Sequence, residues 1–200
     1  MITKRLIASG DSPPSVMPAY NGRVLAYLTS SITFITGILE NHFASSLIWF
    51  VPAAMLWPHL LYFVIRYFKL HQSAAARENT LLMDGAIAGL SVVLIEFSLT
   101  ATIATILMAS FSFIIVGGMR IWLLGNLVML VSMILSSMIF GLDFNADEPP
   151  LVSIVAGLGA CIYVSVTAYY THQQAKALVK AKSQIQHQRE LSISLSHKLA

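Results

Sequence analysis

The chain has 200 residues, of which 56% are apolar and only 10% charged, with a net charge of +3 and a mean hydropathy of +0.74. A soluble domain carries about 25% charged residues, so a soluble fold is excluded and an integral membrane protein is expected. The basic residues are spread over turns and a tail rather than gathered in one patch, which speaks against a nucleic-acid partner, and the single cysteine, Cys161, excludes a disulfide framework or a cysteine-based metal site.

In chain order, residues 1–23 carry Lys4, Arg5 and Arg23 around Pro13, Pro14 and Pro18, without an apolar stretch long enough for a signal peptide. They read as a flexible cytoplasmic lead-in. Six apolar runs follow, at 24–39, 44–65, 81–96, 101–116, 121–140 and 151–170, at least five of them approaching the roughly 20 residues that cross a bilayer. The hydroxyls of Thr29, Ser30, Ser31, Thr33 and Thr36 give the first run an inward-packing face. Pro52 and Pro58 predict kinks in the second. A tight turn near Ser98 and Thr100 joins the third run to the fourth, Gly117, Gly118 and Arg120 make the next turn, and an acidic loop with Asp143, Asp147 and Glu148 precedes the sixth. Gly85 with Gly89, and Ala156 with Ala160, form small-xxx-small faces for close helix packing. The expected fold is an all-α membrane protein, a six-transmembrane-helix bundle over 24–170.

With the amino terminus inside, all twelve Lys and Arg fall on cytoplasmic segments and none on outer loops. Both termini are therefore expected in the cytoplasm. Merging the third and fourth runs would move Arg120 and the basic tail outside. The tail, 171–200, lacks proline and glycine, so the last helix should continue through it as a linker helix. Heptad spacing places Leu178, Ala181, Ile185, Leu195 and Leu199 on one seam, the pattern of a coiled coil. A solvated amphipathic helix resting on lipid headgroups fits the same residues. In either case the tail reads as a linker to a C-terminal output domain.

Two ionisable groups interrupt the apolar runs. His59 lies seven residues before Arg66 and Asp84 seven after Arg77, so at about 1.5 Å of rise per residue both sit roughly 10 Å inside the same membrane face. Such groups are costly in a bilayer unless paired or facing a cavity, and antiparallel neighbours would bring these two together. Two roles stay open: a hydrogen-bonded switch at the inner mouth of a ligand pocket, or a structural contact between helices. Asn79 and Arg120 are expected to hold the inner turns, Trp57 to pack, and Glu96 to mark the outer interface. Met129, Met133 and Met138 with Phe111 and Phe113 are candidates to line a lipophilic pocket, or else face lipid. The remaining histidines are scattered without metal-ligand spacing, and no metal is assigned.

Trp57, Pro58 and His59, then Arg77, Glu78 and Asn79, then Asp84 and Gly89, and finally Gly117, Gly118 and Arg120 resemble, in order and spacing, the bacterial membrane-associated sensor domain of the second type. The likeness covers 24–170, outside these residues in hydropathy only. It implies a sensory anchor in the bacterial inner membrane placed before a signalling output domain, usually a nucleotide cyclase. Trp57, His59, Asn79, Asp84 and Arg120 then become ligand-binding or signalling candidates. Leu195, Ser196, His197, Lys198, Leu199 and Ala200 are similar to the segment that introduces a class III adenylate cyclase domain, which favours that output over a diguanylate cyclase. This second resemblance implies a homodimer with paired tails, and ATP with Mg or Mn as the cofactors of a domain beyond Ala200. No catalytic residue is assigned within the chain itself.

The function expected is thus a membrane anchor and receptor that dimerises and regulates a C-terminal adenylate cyclase. Its partners would be the lipid bilayer, a second copy, its own output domain and a lipophilic small molecule. A small transporter or channel using Asp84 as a proton or cation site competes, but no internal repeat or pair of broken helices supports it. A membrane enzyme with His59 as base and Asp84 orienting it finds no nucleophile or phosphate motif.

Overall fold

The computed structural model describes residues 16–67, 74–142, 144 and 147–199, and among these the regular structure is helical throughout. Helix α1 spans Val16–Leu39. A 3-10 turn, Ser45–Trp49, leads into α2 (Phe50–Tyr67), and α3 (Ala74–Leu94), α4 (Leu99–Phe140) and α5 (Pro150–Leu199) follow. The chain divides into two compact units, Met1–Val164 and Ser165–Ala200.

Among the described residues, four segments are long and apolar enough to cross a membrane: Tyr20–Leu39, Ser45–Tyr67, Leu99–Phe140 and Pro150–Gln184. The chain is a multi-pass membrane protein. Its outward surface agrees, since Leu123, Leu127, Leu130, Ile134 and Met138 are all exposed along α4, an apolar exterior that lipid covers and water does not.

The six expected runs map onto these helices with three differences. The lead-in is partly helical, because α1 starts at Val16 and takes in Tyr20 and Arg23; Pro18 lies in its first turn, where no intrahelical hydrogen bond is lost. The third run belongs to α3, which is not among the four apolar segments because Arg77, Glu78 and Asp84 dilute it. It also stops at Leu94, two residues before Glu96, in a turn where Glu96 (φ 53°) and Phe97 (φ 51°) both adopt the left-handed conformation.

The fourth and fifth runs are the two limbs of α4, 99–117 and 119–140, divided at Gly118, whose φ of 69° and ψ of −170° are not helical. Ser110 Oγ donates to Asn126 Oδ1 at 2.7 Å. In an unbroken helix those residues would stand about 24 Å apart, so the limbs turn back on each other. Gly118 supplies a backbone angle that side chains with a Cβ rarely adopt. Of the two prolines in the second run, Pro52 lies in the first turn of α2 and costs nothing, whereas Pro58 is buried inside it and gives no N–H to the Ala54 carbonyl.

Within the first unit, one core cluster gathers Phe34, Phe43, Val51, Ile95, Met108 and Tyr163, with Ala156 buried in it and Ala160 against its edge. A smaller one holds Leu81, Phe113 and Ile121. Helix α3 lies on the second limb of α4 through its glycines. A Cβ on Gly85 would come within 2.9 Å of the Gly125 carbonyl oxygen, and one on Gly89 would collide with the Met129 carbonyl. The Ser132 hydroxyl donates to the Ala86 carbonyl at 2.6 Å across the same seam.

The second unit is the polar continuation of α5, helical to Leu199, with Thr171 Oγ1 bonding back to the Thr167 carbonyl. The side chains of the expected seam, Leu178, Ala181, Ile185, Leu195 and Leu199, lie outside the described residues.

Candidate functional site

Asp84 is the hub of a polar network that ties three helices together. Its Oδ2 accepts from Arg23 Nε at 2.6 Å, and its Oδ1 accepts from the Tyr27 hydroxyl and from Trp57 Nε1, both at 3.1 Å. Arg23 Nη2 in turn donates to Thr80 Oγ1 at 2.8 Å. Local helix geometry makes this possible. Arg23 and Tyr27 are four residues apart on α1, as are Thr80 and Asp84 on α3, so each pair shares one face, and Trp57 reaches in from α2. The ionic side chains are only 13% and 12% exposed. At that depth a charge is tolerated only when paired and hydrogen-bonded, and this carboxylate has one cationic and two neutral donors.

The expected partner of Asp84 was His59, and the structure pairs it differently. His59 is exposed, and its Nδ1 lies 2.7 Å from the Tyr20 hydroxyl, beside the Tyr20–Tyr62 ring contact at 4.7 Å. The reason is rotational. Trp57 and His59 are two residues apart on one helix, about 200° around its axis, so only one can face α3. Depth alone did not carry that information. Trp57, expected as packing, is instead a direct donor to the acid. Asn79 and Arg120 are both exposed, and neither is brought into the network.

Arg23, Tyr27 and Thr80 are not among the site residues that the sequence suggests. Arg23 reads there only as a positive charge of the lead-in, although it stands four residues before Tyr27 on what becomes one helical face. An acid buried in a span calls for a cation within reach, and an arginine just before the first span was the available signal.

Beside the ion pair lies a cavity of about 70 Å³. Arg23, Tyr27 and Asp84 form its polar end, and Phe34, Met108 and Phe113 are among the apolar residues of its wall. It lies between α1, α2, α3 and the first limb of α4. Of the aromatic and methionine residues expected to line a lipophilic pocket, only Phe113 does so. Met129 is buried, while Phe111 and Met138 are exposed, and Met133 lies against α3 at Gly89. Periodicity could not separate these residues, because lipid and a protein interior are equally apolar.

The sequence model of one family, the MASE2 domain, matches residues 18–108. The match takes in every side chain of the network, from Arg23 to Asp84, and all of α2 and α3. It ends before Gly117, Gly118 and Arg120, on which the sequence resemblance also drew. No curated protein and no solved structure matches the chain.

Proposed function

We propose that the chain is a membrane-anchored signalling domain that dimerises and regulates a C-terminal nucleotide cyclase, of the adenylate class, through its tail. The observation that carries this reading is the MASE2 sensor domain at 18–108, which encloses the whole Asp84 network. The network is suited to the task because one carboxylate joins α1, α2 and α3, so a shift of any one helix must strain or break a charged hydrogen bond. A ligand or membrane state can bias such an arrangement only through its differential affinity for two helix positions.

In this reading α3 and both limbs of α4 cross the bilayer, which makes six spans with both termini in the cytoplasm of a bacterial inner membrane. The reversal of α4 at Gly118 supports the even count, and so does the resulting placement of all twelve Lys and Arg inside. Paired tails would present two catalytic domains to each other, and those domains would bring ATP and Mg or Mn. A diguanylate cyclase is the alternative output. The transporter reading is less well supported, since the carboxylate of Asp84 is already occupied by an arginine and two further donors.

Reading the native coding sequence beyond Ala200 tests the proposal directly. A class III cyclase domain with its metal-binding aspartates is the expected result, and a stop codon at that point would sink it. If the domain is present, Asp84→Asn in the full-length protein should change cAMP output several-fold while membrane insertion persists. Unaltered basal and stimulated output would remove the network from the signalling path.

A further inference from the structure

The wall of the cavity beside the ion pair carries one buried hydroxyl without a hydrogen-bond partner. Four of its hydroxyl-bearing residues come from three helices. Ser91 Oγ donates to the Ala88 carbonyl at 2.8 Å, Thr105 Oγ1 to the Ala101 carbonyl at 2.8 Å and Ser112 Oγ to the Met108 carbonyl at 3.1 Å, so each of these is satisfied on its own helix. Ser31 is the exception. It lines the cavity, is only 2% exposed, and its Oγ has no hydrogen-bond partner. Ala54, also on the cavity wall, is the residue whose carbonyl receives no amide from Pro58. Buried polar atoms are normally bonded, and a specific exception calls for an explanation such as an absent partner.

Charge, volume and wall chemistry narrow what that partner would be. The only formal charges on the wall are Arg23 and Asp84, and they neutralise each other at 2.6 Å. An ionic ligand would therefore meet no unmatched counter-charge in a low-dielectric site and would lose its hydration without return. The volume, about 70 Å³, is roughly half that of an apolar cavity able to take benzene. We propose that this cavity binds a small uncharged molecule carrying one hydrogen-bonding oxygen on an apolar body of about three to five carbons, with Ser31 as its polar contact. The assignment deepens the signalling reading and rests on it for its biological purpose. Binding itself can be measured without any cyclase readout, so failure of one does not imitate failure of the other.

The test uses the full chain in lipid nanodiscs, labelled with ¹³C at the methionine methyls and titrated with 1-butanol. Met108 lies on the cavity wall and is 6% exposed, whereas Met138 is 79% exposed and reports the surrounding lipid. The expected result is a saturable shift of the Met108 methyl with only a linear drift at Met138. Butyrate and butylammonium should leave Met108 in place. Ser31→Ala, which changes almost no volume, should weaken 1-butanol about fivefold, the loss of one hydrogen bond, and leave n-pentane binding unchanged. Parallel linear drifts at both methyls would mean partition into the bilayer and would overturn the proposal. So would saturable binding of either ion, or an unchanged 1-butanol affinity in Ser31→Ala.

Discussion

Asp84 and Glu148 are both carboxylates drawn into the first unit, and they are held by different means. Asp84 lies among α1, α2 and α3 and relies entirely on side chains, those of Arg23, Tyr27 and Trp57. Glu148 lies in the segment before α5 and accepts the backbone N–H of Thr100, at the start of α4, at 2.9 Å. Burial disfavours its charged form, but the Thr100 amide, the largest favourable contribution, outweighs that and holds its pKa below the ordinary value. A helix N-terminus offers unsatisfied amides and a favourable dipole to any acid nearby. Glu148 therefore needs no cation, whereas Asp84 needs one from a particular position on another helix. Loss of a partner should accordingly be severe at Asp84 and mild at Glu148.

The largest expected effect comes from Arg23→Leu, which strands Asp84 as a buried charge and should cost about 3–5 kcal/mol. Thermal unfolding in detergent checks it. Adding Asp84→Leu should recover most of the loss, because an apolar replacement of a buried pair is often nearly neutral. A double variant as unstable as the single would break the comparison, since the charge itself would not be the source of the cost.

Trp57→Phe keeps the ring's bulk and removes one donor to an ionised acceptor, for an expected loss of about 1.5–3 kcal/mol. His59→Phe, two residues away, should cost much less, because its Tyr20 contact is exposed. Equal effects in unfolding measurements would restore His59 as a partner worth as much as Trp57.

The smallest effect is expected at Glu148, and it carries a pH signature. A pKa held below the ordinary 4.5 means that the folded state favours the ionised form. Its contribution is complete above pH 4.5 and is lost as pH falls through the lower folded value. The gap in melting temperature between the native protein and Glu148→Gln should therefore be present at pH 7 and close on acidification below pH 4.5. A gap that widened in acid would reverse the sign and remove the N-terminal contact from the explanation.

Much of the architecture was legible in the residues. The contrast between apolar runs and basic turns placed the chain in a membrane, and Gly117 with Gly118 marked the reversal inside α4, where a segment of 42 residues would otherwise read as one helix. The low charge content made Asp84 conspicuous. Its partner was not legible, because depth along a span is a one-dimensional quantity and pairing depends on rotation. His59 and Trp57 are nearly equal in depth and face opposite ways on α2.

The sequence by itself determined the solvent this protein folds in, the helical content and the reversal at Gly118, because these follow from hydropathy and from the backbone freedom of glycine; Pro52 and Pro58 did not end α2. It also singled out a buried acid that had to be compensated. Only the tertiary structure decided that the compensating charge is Arg23 at the start of α1, that Trp57 rather than His59 faces it, and that Ser31 closes the wall of a cavity with its hydroxyl unpaired. The physical reason is common to all three. Each depends on which face of a helix meets which neighbour, and in an apolar solvent the hydrophobic pattern that normally reveals the inner face is absent.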